Sequence, residues 1–151
     1  METIKGKIKA ISVSKTKGTK KTNVTGAQLN ADSGIAGDAH AGKWHRQVSL
    51  LAIESIDKMI EAGANVSPGD FAENVTTENI NLQNMEIGTR LKLGQSAELE
   101  ITQFGKECHT RCEIYDQVGD CIMPREGVFA KVIKPGQINT GDAIEVITAN
   151  D

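Results

Sequence analysis

Cys108, His109 and Cys112 stand within the eight residues Gly105-Lys106-Glu107-Cys108-His109-Thr110-Arg111-Cys112, beside the cations Lys106 and Arg111. Positive charge stabilises a thiolate, so a thiol in this setting is suited to nucleophilic chemistry, persulfide transfer or soft-metal ligation. Cys108 is therefore the candidate reactive residue, with Lys106, His109 and Arg111 as the groups that tune it. Three residues separate the two thiols. That spacing is not C-x-x-C, so it fits neither a thioredoxin-type pair nor a zinc knuckle. On a helix, positions i and i+4 would place both thiols on one face and turn His109 away. Adding Cys121 gives a Cys₃His set, and a zinc-binding structural adaptor built on Cys108, His109, Cys112 and Cys121 is the alternative reading. By itself, Cys121 in Gly119-Asp120-Cys121-Ile122-Met123 reads as a buried small hydrophobe.

Two further polar stretches carry candidate chemistry. Ser14-Lys15-Thr16-Lys17-Gly18-Thr19-Lys20-Lys21-Thr22 combines cations with hydroxyls. A solvated turn would have this composition, and so would an anion site, where Lys15, Lys17 and Lys20 supply charge and Ser14 a directed donor. Ser12 to Lys15 matches S-x-x-K, but the stretch sits at a strand end and lacks the companion S-D-N and K-T-G elements of acyl-enzymes. Gly37 to Lys43 fits G-x-x-x-x-G-K, yet Trp44 stands where a nucleotide P-loop needs Ser or Thr. What remains there is His40, His45, Arg46 and Gln47 with Asp38 and Lys43. Two histidines are too few for a metal site. An ordinary polar loop or the wall of an anion or cofactor site both fit.

These groups need a frame. At 151 residues, with an aromatic fraction of 3%, the expectation is a single domain over 1–151 with a core of Ile, Val, Leu and Ala. Gly6–Val13, Gly88–Gly94 and Ala97–Gln103 alternate apolar and polar residues and predict strands, as do Val48–Ala52, Val128–Ile133 and Ala143–Ile147. Ile53–Ala62 carries apolar residues at helical spacing and predicts an amphipathic helix, started by Ser49 or Glu54 and stopped at Gly63. A second short helix is expected over Glu113–Val118. Asn23–Ala36 reads as loop with at most one short strand, and Pro135–Asp142 as a turn. Short strands at close spacing predict a mainly β fold, a closed or nearly closed barrel with a few short helices. A net charge of -3 argues against a nucleic-acid binder. No apolar run approaches membrane-spanning length. The absence of an export signal and the odd cysteine count point to the cytoplasm and reduced thiols.

Four separated blocks, in order, resemble the MOSC domain, the module at the C-terminus of molybdenum cofactor sulfurases that also occurs as a stand-alone bacterial protein. They are Gly37-Asp38-Ala39-His40 to His45-Arg46-Gln47, Gly69-Asp70-Phe71-Ala72-Glu73-Asn74, Ile87-Gly88-Thr89-Arg90-Leu91, and Cys108 within Gly105-Lys106-Glu107-Cys108-His109. Val118 to Phe129 is similar to the short stand-alone subgroup. The resemblance implies a barrel of the kind found beside the pyruvate kinase barrel, and a role with the molybdenum cofactor (molybdopterin). Cys108 matches the family cysteine, which implies a persulfide carrier or a molybdenum ligand. The cofactor's phosphate or nucleotide would then meet Lys15, Lys17, Lys20, Lys43 and Arg46. Further contacts are expected from Ser14, His40, His45, Gln47, Glu73, Asn74, Lys106, His109 and Arg111. Implied partners are a small anionic ligand and a cysteine desulfurase, or a protein of molybdenum cofactor biosynthesis or a molybdoenzyme. Pyridoxal phosphate binding belongs to the family at large. No desulfurase, flavin or iron–sulfur segment is expected here, and whether the module acts as enzyme, carrier or insertase stays open.

Overall fold

Alternation of buried and exposed residues builds most of this fold. In the strand Ala97–Phe104, Ala97, Leu99 and Ile101 are fully buried, while Glu98 and Glu100 turn outward. There Glu98 pairs with Lys134 at 2.9 Å, and Glu100 meets Arg90 and Lys131 at 3.5 Å each. Such exposed pairs add little stability; the apolar face does the ordering. The computed structural model describes residues 5–16, 20–105 and 126–147. Lys17, the whole Lys106 to Cys121 cluster (Cys108, His109, Arg111 and Cys112 included) and the helix expected over Glu113–Val118 lie outside the described residues.

The strands are β1 (Lys5–Val13), β2 (Thr22–Val24), β3 (Gly26–Asn30), β4 (Gly34–Ile35), β5 (Val48–Ala52), β6 (Val75–Glu78), β7 (Arg90–Leu93), β8 (Ala97–Phe104), β9 (Val128–Lys134), β10 (Gly136–Asn139) and β11 (Ala143–Ile147). Seven of them follow one another in the order β11-β7-β8-β9-β5-β6-β1, and β1 pairs back with β11 to close a barrel. β2 extends from the edge of β1, and β3, β4 and β10 form a separate three-stranded sheet. The expectation of a mainly β closed barrel holds.

All the barrel pairings are antiparallel except β5 with β6. A parallel pair requires a crossover, and helix α1 (Ile53–Glu61) supplies part of it. It packs Ile56 and Met59 against Leu51, Phe71 and Phe129, forming an apolar layer beside the barrel core. Gly63, at φ +106°, ends the helix. Its N–H donates to Ile60 O at 3.0 Å and that of Ala64 to Met59 O at 3.0 Å, the paired bonds of a Schellman stop. The expected start is corrected. Ala52 occupies the N-cap with no side-chain bond, because Ser49 is committed to Asn74 and Glu54 accepts from Asn79 N.

Two segments, one read as loop with at most one short strand and one as a turn, hold more strand than that. Asn23–Ala36 holds parts of β2 and all of β3 and β4, and the Pro135–Asp142 turn contains β10. Their glycines and polar residues suggested breaks, but Leu29, Ile35 and Ile138 point inward at 0–1% exposure. Gly26 permits close approach, since a Cβ there would lie 2.5 Å from Asn139 Oδ1. One 3-10 turn, Leu82–Asn84, accompanies α1 among the described residues. No described helix is long and apolar enough to cross a membrane.

Candidate functional site

The 36–47 loop runs as a strap from the end of β1 to the end of β8. Its first anchor is Asp38. Oδ1 accepts from Lys21 Nζ at 2.8 Å and from Ser14 N at 3.1 Å, and Oδ2 accepts from His40 N at 3.0 Å. Both side chains of the Lys21–Asp38 pair are fully buried. Burial works to raise the Asp38 carboxyl, but Lys21 and the amides of Ser14 and His40 outweigh it and hold the group well below the usual carboxylate range. Lys21 Nζ also donates to Ser14 Oγ at 3.1 Å and contacts His40 Nδ1 at 3.0 Å.

From His40 onward the strap is ordered by rings. Trp44 lies parallel to His40, 5° between planes and 6.2 Å between centroids, and its Nε1–H donates to His40 O at 2.7 Å. The Arg46 guanidinium sits 4.7 Å from the Trp44 ring and 5.7 Å from that of Phe129 on β9. These are cation–π contacts to two aromatic groups. Arg46 Nε is buried and has no hydrogen-bond partner among the described residues.

The far anchor of the strap is His45. Its Nε2 lies 2.7 Å from Gln103 Oε1, and Gln103 Nε2 donates to Gly105 O at 2.6 Å. Thr102 Oγ1 donates to His45 O and, at 3.2 Å, to Phe129 O. Register slips between Ile101 and Gln103 against β9, so Thr102 is the extra residue of a bulge. A bulge re-aims neighbouring side chains, and this one sits where the strap lands. Gly105 closes the frame, its N–H donating to Gly127 O at 2.7 Å. Cys108 follows three positions later in the sequence.

A third segment, Gly69 to Asn74, backs the first anchor. Gly69 O accepts from Lys21 N at 2.8 Å. Gly69 has φ +97°, and a Cβ there would come 2.5 Å from Lys21 O. Glu73 Oε2 accepts from Gly69 N at 3.0 Å and Thr76 Oγ1 at 3.1 Å, whereas buried Oε1 has no partner among the described residues. Asn74 Oδ1 accepts from Ser49 N at 3.0 Å, and its Nδ2 donates to Ser12 O at 3.1 Å.

The expected site residues thus fall into three groups. His40, Lys43, His45 and Arg46 share the strap, with Lys43 exposed, and Lys15 and Lys20 are exposed as well. Ser14, Gln47, Glu73 and Asn74 face inward and support it; Gln47 Oε1 accepts from Val132 N at 2.9 Å. Cys108, Lys106, His109, Arg111 and Lys17 lie outside the described residues. Sequence reasoning passed over Lys21, Trp44 and Gln103. Trp44 is the only Trp in the chain, which was an available signal; nothing local distinguishes Lys21 from Lys20. Elsewhere, a cleft of about 790 Å³ opens beside α1, lined by Ser55, Lys58, Asn81, Gln83 and Glu126 among others, and contains none of the expected residues.

The MOSC domain family model matches residues 37–145. The chain belongs to the MOSC domain family. Among solved structures, YuaD from Bacillus subtilis is similar with a TM-score of 0.81 at 20% identity, covering 96% of this chain and 97% of that one. YiiM from Geobacillus stearothermophilus gives 0.69 at 16% identity, over 95% and 75% of the two chains. YiiM from Escherichia coli gives 0.65 at 17%, over 94% and 70%. At these identities the likeness concerns the fold. No curated protein sequence matches the chain. In this MOSC domain the matched region opens at Gly37, at the head of the strap. Ser14 and Lys21, which anchor it, come from the preceding segment.

Proposed function

We propose that this MOSC domain binds the molybdenum cofactor or its pterin precursor, with Cys108 as the sulfur-carrying or molybdenum-contacting residue. The observation that carries the reading is the strap. It sets Arg46 and His45 beside the end of β8, four residues before Cys108 in the sequence. The residues fit such a ligand. Arg46 Nε is a buried donor without a described partner, and leaving such a donor open costs about 1–3 kcal/mol that an arriving acceptor would recover. Exposed Lys15 and Lys43 offer charge to a phosphate. Thiolate is a soft ligand suited to molybdenum or to holding a persulfide sulfur. When bound, the cofactor supplies the metal or the acceptor for sulfur. This chain's residues bind it, orient it and present the thiol. In this reading the chain is one cytoplasmic domain that works with a cysteine desulfurase, a cofactor-biosynthesis protein or a molybdoenzyme.

Purified protein mixed with the molybdenum cofactor should retain it, measured by pterin fluorescence and elemental analysis. Cys108→Ser should lose molybdenum while keeping some pterin, and Arg46→Gln should weaken pterin retention about tenfold or more, as loss of a charged donor predicts. Iodoacetamide should label Cys108 faster than Cys112 or Cys121. No pterin retained by the wild type at any ratio sinks the cofactor reading and favours a plain persulfide carrier. Stoichiometric zinc surviving dialysis would instead support the adaptor built on Cys108, His109, Cys112 and Cys121.

A further inference from the structure

We propose that Lys21 is a positioning residue: its buried ammonium holds His40 Nδ1 as an acceptor, so that Nε2–H is the donor His40 presents to an anionic ligand. The assignment of a ligand to this wall rests on the function proposed above; the assignment of the tautomer does not.

An ammonium has three donors and no acceptor. Lys21 places all three, on Asp38 Oδ1 at 2.8 Å, His40 Nδ1 at 3.0 Å and Ser14 Oγ at 3.1 Å. With its side chain fully buried, it has nothing left for a ligand. Its contact with the site therefore runs through His40. Because Lys21 can only donate, Nδ1 offers its lone pair, and the ring proton is on Nε2. Asp38 does not compete for an Nδ1–H. Its Oδ2 lies 3.7 Å from Nδ1, beyond hydrogen-bond range, and takes the His40 backbone N–H at 3.0 Å instead.

The ring plane is fixed as well. Trp44 lies parallel to it and bonds the His40 carbonyl at 2.7 Å. Nε2 has no partner among the described residues, and the side chain keeps 16% of its surface exposed. The arrangement adds a directed donor without adding net charge, since Lys21 and Asp38 cancel. A ligand's negative charge must be met by other cations, and Arg46 and Lys43 stand on the same strap.

Long-range ¹H–¹⁵N correlation of the histidine rings at mildly alkaline pH tests this on the ligand-free protein, with His40→Gln used for assignment. The wild type should show His40 with protonated Nε2 and unprotonated Nδ1. Lys21→Met leaves Asp38 buried and unpaired, so the Lys21→Met/Asp38→Asn double variant is the safer probe. In it, His40 should become a mixture of tautomers. A wild-type Nδ1–H, or an unchanged Nε2–H tautomer in the double variant, overturns the assignment. Inorganic phosphate should then shift the wild-type Nε2–H signal. The double variant and His40→Gln should each bind the pterin about tenfold to a hundredfold more weakly, the loss of one hydrogen bond to a charged acceptor. An Nε2–H signal unmoved by phosphate and by pterin, in protein that still retains pterin, refutes the ligand-donor role and leaves the proposed function standing. Absence of pterin retention with the tautomer as assigned does the reverse.

Discussion

Asp38 and Glu73 are both buried carboxyls, and their surroundings drive them in opposite directions. Asp38 sits below the usual range because Lys21 and the amides of Ser14 and His40 outweigh its burial. Its contribution to stability is present above the ordinary carboxylate range and is lost as pH falls below it. Glu73 is raised, because burial outweighs the donors at Oε2. Its folded form prefers the proton, so its contribution is present at acidic pH and is lost as pH rises from the unfolded carboxylate value through the raised folded one. Glu73→Gln mimics the protonated form. The variant and the wild type should melt together near pH 4. Near pH 8 the variant should melt higher, by about 2–4 °C for a gain of about 1 kcal/mol. An equal or lower melting temperature at pH 8 would show that Oε1 has a cationic or donor partner in solution.

At the scale of elements, the barrel end beside Lys21 is held by one amide. Asn74 bonds Ser12 O on β1 and Ser49 N on β5 from its side chain, while its own carbonyl accepts from Ser12 N at 2.7 Å. Three strand ends therefore meet at a single buried residue, β6 beginning just after it. Asn74→Ala leaves Ser49 N and Ser12 O without these partners, at a cost of about 2–4 kcal/mol from two buried unsatisfied groups. Urea unfolding should show a lower midpoint with an unchanged slope. A loss under about 0.5 kcal/mol would mean that water replaces the amide and that the latch is dispensable. The same residue pair, Glu73-Asn74, was legible as special in the sequence. Its burial was not, since polar residues at a β-prone segment read equally as ligand contacts.

For the molecule as a whole, closure depends on the seam between β1 and β11, with three registered pairs from Lys5↔Glu145 to Lys7↔Ala143. Gly6 lies in that seam, where a Cβ would come 2.5 Å from Glu78 O and 2.6 Å from Ile80 Cβ. Gly6→Val must push the start of β1 off Glu78 at the end of β6 and off Ile80, and that shift should disturb its pairing with β11. Hydrogen exchange should then speed up at β11 and β7 while β8 and β9, joined over a longer ladder, keep their protection. A uniform change across the barrel would instead indicate that the seam opens only with global unfolding. The barrel matters to the proposed chemistry because it fixes the distance the strap must span, from β1 to β8, and so holds His40 and Arg46 in register.

The residues alone determined the strands with one apolar face, helix α1 and its stop at Gly63, and the MOSC resemblance, because period and spacing report directly on faces and turns. β10, and all but one short strand of the Asn23–Ala36 segment, were not legible, because their pairing is non-local and their glycines serve close packing, which mimics a loop in one dimension. Which lysine matters was likewise hidden. Lys15, Lys20 and Lys21 are chemically identical in sequence, yet Lys21 alone of these is buried, since Asp38, seventeen residues away, comes within 2.8 Å of it. A charge can be buried only where a partner meets it, and the tertiary structure decides where that meeting occurs.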